Sequence, residues 1–215
     1  MLFLPNGASI AVATMAAAKP VTDLSNALPA VVAAAGHGFP LGAPVLVHSG
    51  WSRLDGRVFR VLAPTADAFD LAGVDTTDAL RFPAGSGIGS VLGAAAWTQI
   101  TQILDSSSAG GEQAFFSWQY LEDADSQERQ MPTSKSARSF TLTLGDDPSK
   151  PWYPVLEAAD EAKVTTIVRM LLPSGSAIYY PATVSFDKIP KMTKNQAMAL
   201  TAVFSMSAAP TRYNA

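Results

Sequence analysis

Met198-Ala199-Leu200-Thr201-Ala202-Val203-Phe204-Ser205-Met206 alternates along its length. Met198, Leu200, Ala202, Phe204 and Met206 fall on one side, with Ala199, Thr201 and Ser205 on the other. A period of two is that of a β-strand, whose successive side chains point to opposite faces, so this segment reads as a strand with one greasy and one mildly polar face. The same alternation sets Phe140, Leu142 and Leu144 against Thr141 and Thr143, and Phe116, Trp118 and Tyr120 against Ser117 and Gln119. Val164 to Leu172 and Ala177 to Phe186 flank Pro173-Ser174-Gly175-Ser176, a hairpin loop. One segment departs from the pattern. Trp152, Val155, Leu156, Ala159 and Ala162 recur at helical spacing, with Ser149 and Pro151 suited to a first turn and Glu157, Asp160 and Glu161 opposite, which predicts one helix near 150–163.

Towards the amino terminus the runs shorten. Ile10 to Thr14, Ala30 to Ala34, Val45 to His48, Val58 to Leu62 and Ala68 to Leu71 are bounded by Gly, Pro, Asn or Asp, and Asp55-Gly56 suits a tight hairpin. The expected organisation is an amino-terminal β module and arm over 1–80, a Gly/Ala-rich linker over 81–96, and a β-sandwich or barrel core over 97–215. The fold class is mainly β with one flanking α-helix. The linker rests on Pro83-Ala84-Gly85-Ser86-Gly87-Ile88-Gly89-Ser90 and Gly93-Ala94-Ala95-Ala96, which offer a core little to bury. The stretch between Leu121 and Arg138 is polar and long, and reads as a loop.

Composition narrows the function. The 215 residues contain 15% charged and 48% hydrophobic side chains, with a net charge of -3. About a quarter of residues are charged in an ordinary soluble domain, so this surface is poorly protected against self-association. A net negative chain lacks the basic footprint of a nucleic-acid binder. With Cys 0, disulfides, thiolate nucleophiles and cysteine zinc sites are excluded. No stretch reaches the roughly 18–20 apolar residues of a membrane span. Met1 to Gly7 and the apolar run to Ala18 superficially resemble a secretory leader, but a positive start is lacking and Pro5-Asn6-Gly7 breaks the run, so no cleavage is expected.

Chemical motifs are weak. His37, in Gly36-His37-Gly38, and His48 have no cysteine partner, so a backbone-bonded or solvated loop histidine is favoured over a metal ligand. Gly85-Ser86-Gly87-Ile88-Gly89-Ser90 lacks the Lys-Ser or Lys-Thr of a phosphate loop and the spacing of a dinucleotide fingerprint. Asp146-Asp147, Asp160-Glu161 and the group Glu122, Asp123, Asp125 and Glu128 lie in polar contexts that would not push paired pKa values apart. Gly-x-Ser-x-Gly is absent. The expectation is no enzyme, no cofactor and no metal. Trp118 and Trp152 are assigned to core packing, while Trp51 and Trp97 are left between core and an exposed platform.

Two passages resemble a known family. His37-Gly38-Phe39 with Gly42, Val45 to Trp51, Leu54-Asp55-Gly56-Arg57-Val58-Phe59 and Phe69-Asp70-Leu71 resemble a small β module of tailed-phage structural proteins. Pro181 to Phe186 and Leu200 to Met206, continuing to Pro210-Thr211-Arg212-Tyr213, are similar to the tail tube protein of long, non-contractile phage tails. The resemblance implies six-fold rings joined edge to edge, stacked into a tube that conducts DNA as passing cargo, without membrane insertion. It also implies a place in the virion tail after assembly in the host cytoplasm, with tail tip, tape measure and tail terminator proteins as partners. Strand edges without charged gatekeepers suit such closure. A negative lumen would repel DNA phosphates. The stretch with Glu122, Asp123, Asp125, Glu128, Arg129, Lys135 and Arg138 is the expected contact between rings or neighbouring subunits. The rival reading is a carbohydrate- or receptor-binding module on the virion exterior, using exposed aromatics such as Trp51.

Overall fold

The computed structural model describes residues 6–122 and 127–214. Among them run sixteen strands and one helix. The first seven strands are β1 (Ser9–Met15), β2 (Lys19–Val21), β3 (Asp23–Leu24), β4 (Ala30–Ala33), β5 (Pro44–Ser49), β6 (Arg57–Leu62) and β7 (Ala68–Leu71). There follow β8 (Gly89–Ile100), β9 (Ile103–Ala109), β10 (Gln113–Trp118), β11 (Arg129–Lys135) and β12 (Ser139–Gly145). Helix α1 (Trp152–Ala162) precedes β13 (Thr166–Leu171), β14 (Ala177–Lys191), β15 (Ala199–Met206) and β16 (Thr211–Tyr213). The mainly β class with one helix is as the alternation implied.

A 14-stranded sheet runs β3-β4-β7-β6-β5-β8-β1-β13-β14-β15-β12-β9, with β16 beside β14 and β2 beside β8. Its carboxy-terminal part curls around an apolar interior. Phe140, Leu142 and Leu144 from β12 meet Leu200, Ala202 and Phe204 from β15, and Trp152 and Leu156 of α1 close that interior. These are the positions the alternation and the helical spacing selected. Met198 lies outside β15 and is half exposed. A second core holds the amino-terminal strands together, with Phe69, Trp51, Val45 and Val61 in it.

Three expectations change. The linker over 81–96 is, from Gly89 onward, the first part of β8, and this strand is central. Its first part pairs with β2 and β5, and its second part with β1. Small residues here mark close approach: a Cβ on Gly93 would come within 2.6 Å of the Phe39 ring. Secondly, β1 belongs to the carboxy-terminal sheet, where it sits between β8 and β13, so the module over 1–80 excludes its first strand. Thirdly, the connection between β5 and β6 spans residues 50–56 and is longer than a tight two-residue turn, although Gly56 does adopt φ 68°.

The turn that launches α1 depends on Asp147. Its carboxylate accepts bonds from the Ser149 hydroxyl (2.6 Å), the Ser149 amide (3.1 Å) and the Gln102 side chain (3.1 Å). These donors, Ser149 first and Gln102 next, hold its pKa down to about 2. A depressed carboxylate stabilises the fold above its unfolded value, near 3.8, and that contribution disappears as pH falls through about 2. Asp147→Asn should therefore lower the melting temperature at neutral pH and flatten its decline between these pH values. Thermal melts across that range check it.

Candidate functional site

The wall built by β9, β12, β15 and the second half of β14 has two faces. The odd-numbered residues turn away from the interior. In register across four strands lie Asp105, Thr143, Thr201 and Asp187. The next row is Ser107, Thr141, Val203 and Ser185, and the third is Ala109, Ser139, Ser205 and Thr183. Every position is at least partly exposed. These rows carry hydroxyls and two carboxylates and contain no cation. The mildly polar strand faces read from the sequence thus merge into one continuous surface. At its border β9 is the last strand of the sheet, pairing on one side with β12.

The same outward face has a different fate at the other end of β14. Tyr179 is 4% exposed there, because Leu46 of β5 and Val58 of β6 pack over it together with Ala13, Ile167 and Ala177. The amino-terminal strands therefore cover one half of the curled sheet's outward face and leave the hydroxyl half open.

From the β9–β12 border springs a ribbon. Strands β10 and β11 pair only with each other, from Gln113↔Lys135 at the root to Trp118↔Arg129 near the tip. At the root, Gly110 takes φ 81°, and a Cβ there would overlap the Ala137 carbonyl, so the narrow crossing requires glycine. What the sequence suggested was a loop from Glu122 to Arg138 contains β11 (Arg129–Lys135), the return limb of this arm. The alternation of Phe116 and Trp118 was read as a sheet face over a core. Instead Phe116 is 57% exposed and stacks at 6.2 Å on a partly exposed Trp118. The core assignment holds for Trp152, which is fully buried, and not for Trp118.

The charged residues expected to act together are divided by the arm. Glu122 and Glu128 lie at the tip, and Asp123 and Asp125 lie outside the described residues. Arg129 begins β11 with its guanidinium 5.1 Å from the Tyr120 ring centre. Lys135 and Arg138 stand at the root, roughly 20 Å away at the rise of an extended strand. The sequence signal for an arm was present in Gly110-Gly111, whose paired positive φ values turn the chain out of the sheet.

The cavity of 510 Å³ between β8, β13 and the 37–44 segment is lined by His37, Phe39, Trp97, Arg169 and Tyr179, without a carboxylate. His37 is buried: its Nδ1 accepts the Phe39 amide (3.0 Å) and its Nε2 faces the Ala68 carbonyl (3.3 Å). Exposed His48 meets Asp55 at 3.4 Å. No cluster of three or more His, Cys, Asp or Glu that could hold a metal occurs among the described residues. Nor, among them, is any helix long and apolar enough to cross a membrane. Trp51 is buried, donating its indole N–H to the Pro83 carbonyl (2.9 Å), and Trp97 carries the Arg169 guanidinium 4.4 Å above its ring.

Comparison with known families decides what this surface belongs to. The model for the phage tail tube protein matches residues 49–215. The chain belongs to the phage tail tube proteins. Members of this family are structural proteins of the tail, so the hydroxyl face, the open β9 edge and the projecting arm are surfaces of a tube subunit. The family description names the tube and leaves the kind of tail open. Among solved structures, a chain in the virion of a gene transfer agent particle matches with TM-score 0.43 at 9% identity, over 54% of this chain and 88% of that one. A chain of the anti-feeding prophage baseplate matches with TM-score 0.39 at 10% identity, over 55% and 85%. A chain of an extracellular contractile injection system's sheath–tube complex gives 0.35 at 12% identity, over 51% and 80%. The comparison with curated proteins gives no match.

Proposed function

We propose that this tail tube protein forms six-membered rings that stack into the tube of a long, non-contractile tail, and that the hydroxyl face lines the channel through which DNA passes. The observation that carries the reading is that face: a broad exposed wall of Ser and Thr with Asp105 and Asp187 as its charges. Hydroxyls keep water in a channel, and carboxylates without cations repel phosphates, so DNA can move without binding. The open β9 edge supports closure with a neighbour, since an unpaired edge in an isolated subunit is a liability. The covered half of the sheet would put the amino-terminal module on the outer wall. A ring would carry six times the chain's net charge of -3. In this reading the tube meets a tail tip and a terminator at its ends and holds a tape measure protein inside, after assembly in the host cytoplasm. The rival glycan-binding reading loses its platform, because Trp51 is 2% exposed.

Electron microscopy of the purified chain tests the proposal. Rings or hollow tubes are expected, and isolated globules would overturn it. Asp105→Lys with Asp187→Lys should leave tubes intact and stall DNA release from particles built with the variant. Normal release would remove the channel role from this face.

A further inference from the structure

The cavity between the amino-terminal module and the core sheet holds a cation without a counter-ion. Arg169 of β13 is in register with Ala11 of β1, and on the other side of β1 Ala13 is in register with Trp97 of β8. Alanine at both positions keeps the outward face of β1 low, so Arg169 can lie across it, and its guanidinium rests 4.4 Å from the centre of the Trp97 ring. A cation over an aromatic face uses its charge and none of its N–H groups. Arg169 enters no ion pair among the described residues, and its Nε is buried with no hydrogen-bond acceptor among them. Guanidinium N–H groups withdrawn from water without an acceptor are costly, so such a group marks a place that an anion can fill.

The walls select the anion. At 510 Å³ the cavity falls within the roughly 300–1,000 Å³ of small-ligand sites. Phe39 and Leu41 reach it from the module, and Trp97, Arg169 and Tyr179 from the core sheet, so it spans the seam between the two. None of its lining residues is acidic. His37 offers the cavity no free donor, since both its ring nitrogens are engaged. Tyr179, in register with Arg169, accepts from Arg60 at 3.2 Å, which leaves its own O–H to donate. The site therefore presents one guanidinium, one hydroxyl and aromatic walls. The planar fork of a guanidinium matches the two oxygens of a carboxylate, and a single lining cation balances a singly charged group better than a phosphate. The rings of Phe39 and Trp97 suit a flat apolar body beside it.

We propose that this cavity binds a small organic carboxylate with an aromatic or similarly flat body, the carboxylate on Arg169 and the body against Phe39 and Trp97. Because its walls come from both sides of the seam, the bound ligand fastens the amino-terminal module to the core sheet. The inference goes beyond the ring reading and does not depend on it.

Benzoate is the probe, titrated into the full chain and read by saturation-transfer NMR, which tolerates weak binding and large assemblies alike. It should bind about tenfold or more tightly than acetate, which lacks the ring, and than benzamide, which lacks the charge. Arg169→Gln should weaken benzoate by about tenfold or more. Leu41→Glu should weaken it about threefold or more, because it sets a like charge at the cavity from a position 68% exposed, where the fold is indifferent to the change. This second variant decides the matter if Arg169→Gln fails to fold. Saturating benzoate should also slow amide exchange across residues 37–44, the module's wall of the cavity. No benzoate binding, equal binding of benzamide, undiminished binding by Leu41→Glu or by folded Arg169→Gln, or unchanged exchange at 37–44 would overturn the proposal. Acetate binding as tightly as benzoate would assign the site to a bare carboxylate, such as an acidic side chain, and would overturn it as well.

Discussion

Trp152→Ala will destabilise the subunit by about 3–5 kcal/mol, the cost of emptying a large aromatic site in a packed interior. Trp152 is fully buried at the start of α1, with its ring 6.3 Å from Phe186 in an edge-to-face contact. Leu156, one turn on, is the other fully buried side chain of the helix, so the tryptophan supplies much of what holds α1 to the sheet. Its indole N–H has no hydrogen-bond partner among the described residues. Phenylalanine keeps most of the ring and removes that donor, so Trp152→Phe should cost only about 1–2 kcal/mol. Urea denaturation with an unchanged slope measures both. Equal losses in the two variants would show that a phenyl ring in this site holds the helix no better than alanine.

The second large effect concerns the clasp between amino-terminal module and core. Arg60 of β6 lies between the rings of Tyr179 and Tyr213, 5.2 and 4.7 Å from their centres. Its guanidinium donates to the Tyr179 hydroxyl (3.2 Å), and its backbone amide donates to that of Tyr213 (2.9 Å). Tyr213 is held there by β16, paired with β14 through Ala177↔Tyr213. Tyr213→Ala removes ring and acceptor together and should cost about 2–3 kcal/mol, with Tyr213→Phe costing about 1. The distinguishing result is local: amide exchange across residues 57–62 should accelerate in the alanine variant. Unchanged protection there would mean the module is held by Leu46 and Val58 alone. Alkaline pH acts on the same clasp. Burial raises the Tyr213 phenol above 10.0, and burial also pushes Tyr180 up, so above pH 10 the unfolded chain ionises first and stability falls.

The parts of the fold that could be read from sequence were those whose pattern is enforced by their own chain. β12 and β15 alternate because Leu142 and Phe204 meet inside one subunit, and α1 shows helical spacing because Trp152 and Leu156 face that interior. β8 was missed for a physical reason: glycine and alanine permit both a loose tether and a tightly packed central strand, and only the neighbours of Gly93 distinguish them. The arm was missed differently. Phe116 and Trp118 do alternate, and the inference of a strand was sound, but alternation alone does not state that the apolar face is buried within the subunit. For the hydroxyl face the pattern was legible strand by strand, while the alignment of Asp105 with Asp187 needed the register.

The position of β1 sets a timetable for synthesis. This strand pairs with β13 across Ser9↔Leu171 and Val12↔Val168, about 160 residues further along the chain. At about 5–20 residues per second, it waits roughly 8–30 seconds for that partner to be translated. Such distant pairing is also slow to form, since the intervening chain must first be brought together. A nascent chain therefore cannot close its sheet between β1 and β13 until β13 has been translated. Until then β1 has β8 on one side and an open edge on the other.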